Sequence, residues 1–139
     1  MPFQPNCKFC QIAAKSLPSF VVFEDDLSLA FLDSRPLFPG HTLLIPKQHY
    51  ETLIDIPDDS TGDFFRNVQR LTSAVERSME AEGTFVAINN RVSQSVPHLH
   101  VHIVPRRKKD GLRGFFWPRT TYKDEAQMKQ IQEAIHQSL

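Results

Sequence analysis

From Val96 to Pro105 the chain alternates between two residue classes, His98, His100 and His102 interleaving with Leu99, Val101 and Ile103. Successive side chains of an extended strand leave opposite faces, so the imidazoles share one face at a spacing of about 6–7 Å and the aliphatic groups share the other. The alternation predicts a strand from about Val96 to Val104, with one face to pack and one free for chemistry. Elsewhere the period changes. Phe64, Val68, Leu71, Val75 and Met79 recur every three or four residues and predict a long helix from about Asp59 to Glu82. Asp58, Asp59 and Ser60 offer it N-cap oxygens, and Gly83 is its expected stop. Phe20–Glu24 and Leu29–Leu32 flank an Asp25-Asp26 turn and predict an antiparallel hairpin. After the Arg35–Gly40 segment, broken twice by proline, His41–Pro46 reads as a buried strand. Thr84–Asn89 reads as another, joined to the histidine strand by a polar loop, Asn90–Ser95. Phe9–Lys15 predicts a short helix, and Asp124–Gln137 a last one with Met128, Ile131 and Ile135 on one stripe. The expected architecture is α+β: an antiparallel sheet of about five strands crossed by one long helix, with a C-terminal helix.

At 139 residues, 40% of them hydrophobic and eleven of them Phe, the chain is expected to form one domain over 1–139 with a substantial core. Sixteen basic and sixteen acidic residues cancel. That balance argues against nucleic-acid or anionic-membrane partners and points to a small ligand. Without an apolar run of roughly 18 residues or an N-terminal targeting pattern, the expectation is a soluble, cytoplasmic protein. The only cysteines form Cys7-Lys8-Phe9-Cys10. Such a pair can be a redox dithiol, half of a zinc site, or two unrelated thiols; no thioredoxin-like strand-to-helix pattern surrounds it, which favours zinc. Two further tetrahedral ligands would then come from among His41, His49, His98, His100, His102 and His136.

An imidazole attacks phosphorus well when its far nitrogen donates a hydrogen bond, which fixes the tautomer and raises the basicity of the attacking nitrogen. In a row of three, the central one can attack while neighbours donate to phosphate oxygens. Asn89, Gln94 and Ser95 supply uncharged groups able to hold phosphate or leaving-group atoms.

The run Gln94-Ser95-Val96-Pro97-His98-Leu99-His100-Val101-His102-Ile103-Val104 fits Q-[ST]-φ-x-H-φ-H-φ-H-φ-φ, where φ is apolar. With Phe23–Asp26, Ala30–Asp33 and Pro39–His49 in order upstream, the chain resembles the histidine-triad (HIT) superfamily of nucleotide hydrolases and transferases across residues 7–106, leaving 107–139 as a C-terminal extension. The resemblance implies a HIT-like fold, a homodimer, and cleavage at the α-phosphate of a nucleoside phosphate derivative, with a purine the expected base. In that scheme His100 is the nucleophile, His102 steadies the phosphate, and His98 orients His100. His41 supports the triad, while Ser95 and Gln94 contact phosphate or the departing group. Asp33 holds the ribose hydroxyls, and Phe9, Phe23, Phe31 and Leu32 line the base pocket. Bacterial members with a C-x-x-C imply a structural zinc on Cys7, Cys10, His49 and His98.

Two enzyme types remain open: a Hint-like phosphoramidase acting on adenosine phosphoramidates or aminoacyl adenylates, and a Fhit-like diadenosine polyphosphate hydrolase. A nucleotide-binding regulatory scaffold with incidental catalysis is the third reading. Galactose-1-phosphate uridylyltransferase relatives depart from it through their H-P-H-x-Q pattern. The Asn90–Ser93 loop is shorter than the family's usual glycine-containing stretch, with Ser93 where a glycine is common, so the leaving group is unassigned. Arg106–Lys109, Arg113 and Trp117 are candidates for outer phosphates or a second base.

Overall fold

The computed structural model describes residues 3–112 and 119–139, so Arg113 and Trp117 lie outside the described residues. Helix α1 spans Lys8–Ala13, and strands β1 (Val21–Glu24), β2 (Ser28–Leu32) and β3 (Thr42–Pro46) follow. Helix α2 (Asp58–Ser78), strands β4 (Gly83–Ile88) and β5 (Val101–Arg106) and helix α3 (Glu125–Gln137) complete the order. The five strands form one sheet in the order β1-β2-β3-β5-β4, every neighbouring pair antiparallel.

Each face of the sheet has its own core. Ala30, Leu44, Leu99, Val101 and Ile103 meet Phe64, Val68, Leu71 and Val75 of α2 on one side. On the other, Leu29, Phe31, Leu43 and Ile45 meet Phe9, Cys10 and Ile12 of α1. Phe64 is wholly enclosed, a burial worth roughly 2–3 kcal/mol. Asn67 of α2 ties the β1–β2 turn down by donating to Asp25 Oδ2 at 2.7 Å and Ser28 Oγ at 2.9 Å.

Several boundaries differ from the pattern, each for a local reason. The N-cap of α2 is Pro57, which makes no side-chain cap bond; Asp58 and Asp59 lie inside the first turn, where their charge favours the helix dipole. The same helix ends at Ser78 rather than Glu82, because Glu80 turns to φ 50°. Gly83, expected as the stop, instead opens β4, where it pairs with Arg106. A short 3₁₀ turn at Leu53–Asp55, closed by a Thr52–Asp55 capping box, has no periodic signal in so few residues. The histidine strand begins at Val101, not Val96, since the chain bends at 95–98, where the His98 N–H donates to the Val96 carbonyl at 2.8 Å, and β4 ends opposite Val101. No residue of α3 is buried, so the stripe of Met128, Ile131 and Ile135 stays exposed.

The loop before β3 is closed by Gly40 at φ +96°, a conformation that favours glycine. A Cβ there would stand 2.7 Å from Met79 Cγ at the end of α2. This turn delivers His41 to the start of β3.

Candidate functional site

The histidines face the α1 side of the sheet, because Leu99, Val101 and Ile103 are taken by the α2 core. Register places His102 between Leu43 of β3 and Ala87 of β4, and sets Asn89, one residue past the Ile88–Val101 pair, beside His100. Three imidazoles then receive fixed proton positions from main-chain partners, and His102 takes its own from His41.

His98 is buried with Nε2 at 2.8 Å from the Pro46 carbonyl. A carbonyl only accepts, so Nε2 carries the proton and Nδ1 keeps a lone pair. That Nδ1 lies 3.4 Å from Cys7 Sγ and 3.6 Å from Cys10 Sγ, and His49 Nδ1 lies 3.3 Å from Cys10 Sγ. The edge between sulfur and nitrogen ligands of tetrahedral zinc is about 3.6 Å for bonds of about 2.3 and 2.1 Å. Cys7, Cys10, His49 and His98, with ligand atoms all within 4.8 Å of one another, thus match zinc in both donor type and spacing. Burial pushes the Cys10 thiol up, a tendency that a coordinated cation reverses.

His100 Nδ1 is 2.7 Å from the carbonyl oxygen of His98. By the same rule Nδ1 donates and the Nε2 lone pair is bare. Phe9 meets this ring edge-on at 5.0 Å and is itself backed by Phe31, 5.4 Å from Phe9, giving His100 an apolar wall. His41 Nδ1 accepts from the Leu37 backbone N–H at 3.1 Å, so its proton is on Nε2, which lies 3.0 Å from His102 Nδ1 and 3.6 Å from Asp33 Oδ2. His102 accepts at Nδ1 and is left with a donor at Nε2. Asp33, His41 and His102 also converge like a metal-binding trio. The Leu37 amide argues against that use: a His41 lone pair at Nε2 would put a proton on Nδ1, facing another donor at 3.1 Å.

Burial lowers the pKa of His41 and His100, and pushes His98 and His102 down to about 4. All four are neutral at pH 7. Protonating His100 Nε2 would remove the lone pair that a nucleophile in this position needs, and the depressed pKa moves that loss to the acid side of the ordinary 6.5. Accordingly kcat/KM for a nucleotide substrate should hold as pH falls through 6.5 and decline only further into acid. An acid limb centred at or above the ordinary value would contradict this assignment.

The other expected residues divide between the faces. Ser95 is exposed and lines a cleft of about 390 Å³ with Asn6, Lys8, Cys7 and His49. The Gln94 amide is engaged by the loop itself, accepting from Arg91 N–H at 2.8 Å and donating to the Glu51 carbonyl at 2.6 Å. Phe23 packs toward the α2 core with the Arg70 guanidinium 5.2 Å from its ring centre, and strand alternation puts Leu32 with Ala30 on that same face. Neither joins the histidines. Arg106 is held by Asp110 and the Leu112 carbonyl, and Arg107 donates to the Met79 carbonyl. The His98 C=O is the main-chain route by which His98 is expected to orient His100, whereas Pro46 C=O and Leu37 N–H have no counterpart in the sequence reading. Backbone atoms carry no identity in a sequence, so only the third dimension reveals them.

The HIT domain family model matches residues 14–109. The chain is 36% identical to "Adenosine 5'-monophosphoramidase HNT1" of Candida albicans, over 85% of this chain and 82% of that protein. It is 34% identical to "Adenylylsulfatase HINT3" of Arabidopsis thaliana, over 78% of this chain but only 56% of that one. A crystal structure of a HIT family member from Bacillus subtilis superposes with a TM-score of 0.86 at 36% identity, covering 96% of this chain and 97% of its own.

Proposed function

The chain belongs to the HIT domain family, and from that premise we propose that it hydrolyses a nucleoside phosphate derivative at the α-phosphate through a covalent intermediate on His100. The observation that carries the reading is the 2.7 Å contact of His100 Nδ1 with the His98 carbonyl, which leaves Nε2 free to attack. Nε2 forms a bond to the α-phosphorus as the bond to the leaving group breaks; water then cleaves the P–N bond and releases the nucleoside monophosphate. His102 Nε2–H is positioned to donate to a phosphate oxygen, and Asn89 and Ser95 border the same region. Asp33 offers its carboxylate to the ribose hydroxyls, and a purine base would rest toward Phe9 and Phe31. Cys7, Cys10, His49 and His98 would hold zinc; with four protein ligands the ion is structural, tying the N-terminal turn to the strand that carries His100.

Charge placement favours a small leaving group over a second nucleotide. Of the basic cluster, Arg106 and Arg107 are committed to their own turn, and Arg106 lies four strand residues, about 13 Å, beyond His102. The cleft beside Ser95 has Lys8 as its cation. Purified protein should therefore release AMP faster from adenosine 5'-phosphoramidate or adenylyl sulfate than from diadenosine tetraphosphate. The reverse order would establish the dinucleotide hydrolase reading, and AMP binding without turnover of any substrate would establish the scaffold. The family also leads us to expect a cytoplasmic homodimer formed of single-domain chains, which sedimentation equilibrium and cell fractionation measure; no helix among the described residues is long and apolar enough to cross a membrane.

A further inference from the structure

We infer that Asp33 and His41 couple ribose contact to the proton position on His102, so that the ribose hydroxyls are required for turnover and not for binding alone. The inference rests on the nucleotide-hydrolase reading above and extends it. His41 Nε2 has a single proton and two acceptors within reach, His102 Nδ1 at 3.0 Å and Asp33 Oδ2 at 3.6 Å. The Leu37 amide at Nδ1 prevents His41 from meeting the demand by switching tautomer. Asp33 Oδ1 already accepts from the Arg35 N–H at 2.9 Å, which leaves Oδ2 as the oxygen that competes for the His41 proton. The side chain of Asp33 is partly open, so Oδ2 is within reach of a ligand, whereas His41 is buried behind it.

A hydroxyl donating to Oδ2 satisfies the carboxylate and weakens its pull on the His41 N–H. That proton then goes fully to His102 Nδ1, and the His102 proton must sit on Nε2, aimed outward at phosphate. Without the hydroxyl, the carboxylate at 3.6 Å keeps its pull on the His41 N–H, and the bond to His102 Nδ1 at 3.0 Å is correspondingly weaker. His102 is then free to carry its proton on Nδ1, which would present a bare lone pair to the phosphate oxygens. His41 is in this sense a positioning residue, and Asp33 reads the sugar.

The test compares adenosine 5'-phosphoramidate with its 2',3'-dideoxy counterpart. In the wild-type holoprotein the dideoxy substrate should lower kcat roughly tenfold or more, the scale of a misplaced proton donor, in addition to any rise in KM. His41→Gln supplies an amide nitrogen with two protons, enough for both acceptors, so the ratio of kcat between the two substrates should fall toward one. Separately, the ¹⁵N resonances of the His102 ring should report a proton on Nε2 with bound AMP and a mixture of tautomers with 2',3'-dideoxy-AMP. A ribose effect confined to KM, an unchanged ratio in His41→Gln, or identical His102 spectra in the two complexes would overturn the coupling. If the wild type binds AMP yet hydrolyses neither substrate, the hydrolase reading fails, while the paired spectra still decide the coupling.

Discussion

Replacing His100 with alanine should lower AMP release from adenosine 5'-phosphoramidate roughly ten-thousand-fold or more, the scale seen when a covalent nucleophile is removed from a site whose other parts remain. The fold should survive, because the imidazole contributes one hydrogen bond to a main-chain carbonyl and its aromatic neighbours can close on the gap. AMP affinity measured by calorimetry should change only a few-fold, since Asp33 and His102 are untouched. Single-turnover experiments with radiolabelled substrate should trap a nucleotidyl adduct on the wild type after an alkaline denaturing quench, which spares the acid-labile P–N bond, and none on His100→Ala. Activity within tenfold of wild type in the variant would remove His100 from the nucleophile's place.

The second large effect concerns the cysteine turn. Protein purified without added metal should contain about one zinc per chain, and Cys10→Ser should bring that to near zero. Structural zinc sites contribute directly to folding, with apparent binding energies in small peptides of about 10–16 kcal/mol. Here the core on both faces of the sheet exists without the ion, so a loss of roughly 3 kcal/mol or more in a denaturant titration is the scale to look for. Hydrolysis should fall as well, because His98 reaches toward the thiols with Nδ1 while its carbonyl holds the ring of His100. Wild-type protein with no bound metal and both thiols freely titratable would sink the zinc assignment.

These two sites are legible in the sequence to different depths. The alternation from His98 to Ile103 places the three imidazoles on one face, as the structure has them, even though the regular strand begins at Val101. The helix carrying Phe64 to Val75 is equally plain, since four apolar residues at helical spacing have no other common explanation. Phe23 and Leu32 show the limit: both are apolar residues of one hairpin with Phe31, and only the register of β1 and β2 tells which of the three face the histidines. The stripe on α3 shows another. Amphipathic periodicity states that a face needs covering, and within one chain nothing described covers it. Gln94 differs again, for its amide could have met a phosphate, and the short loop uses it to span Arg91 and Glu51 instead.

The proton on each of His98, His100 and His41 is directed by a main-chain atom: the Pro46 carbonyl, the His98 carbonyl and the Leu37 amide. Side-chain replacement at a supporting position cannot delete a carbonyl, and only proline at 37 could delete that amide. The arrangement is therefore insulated from most point mutations in its surroundings and exposed to a different kind of change. Adding or removing one residue between 37 and 41 would carry the Leu37 amide away from the His41 ring, and the same change between 94 and 98 would shift His98 against the Pro46 carbonyl. Drift in this chain is free to alter composition around the imidazoles far more readily than it can alter length.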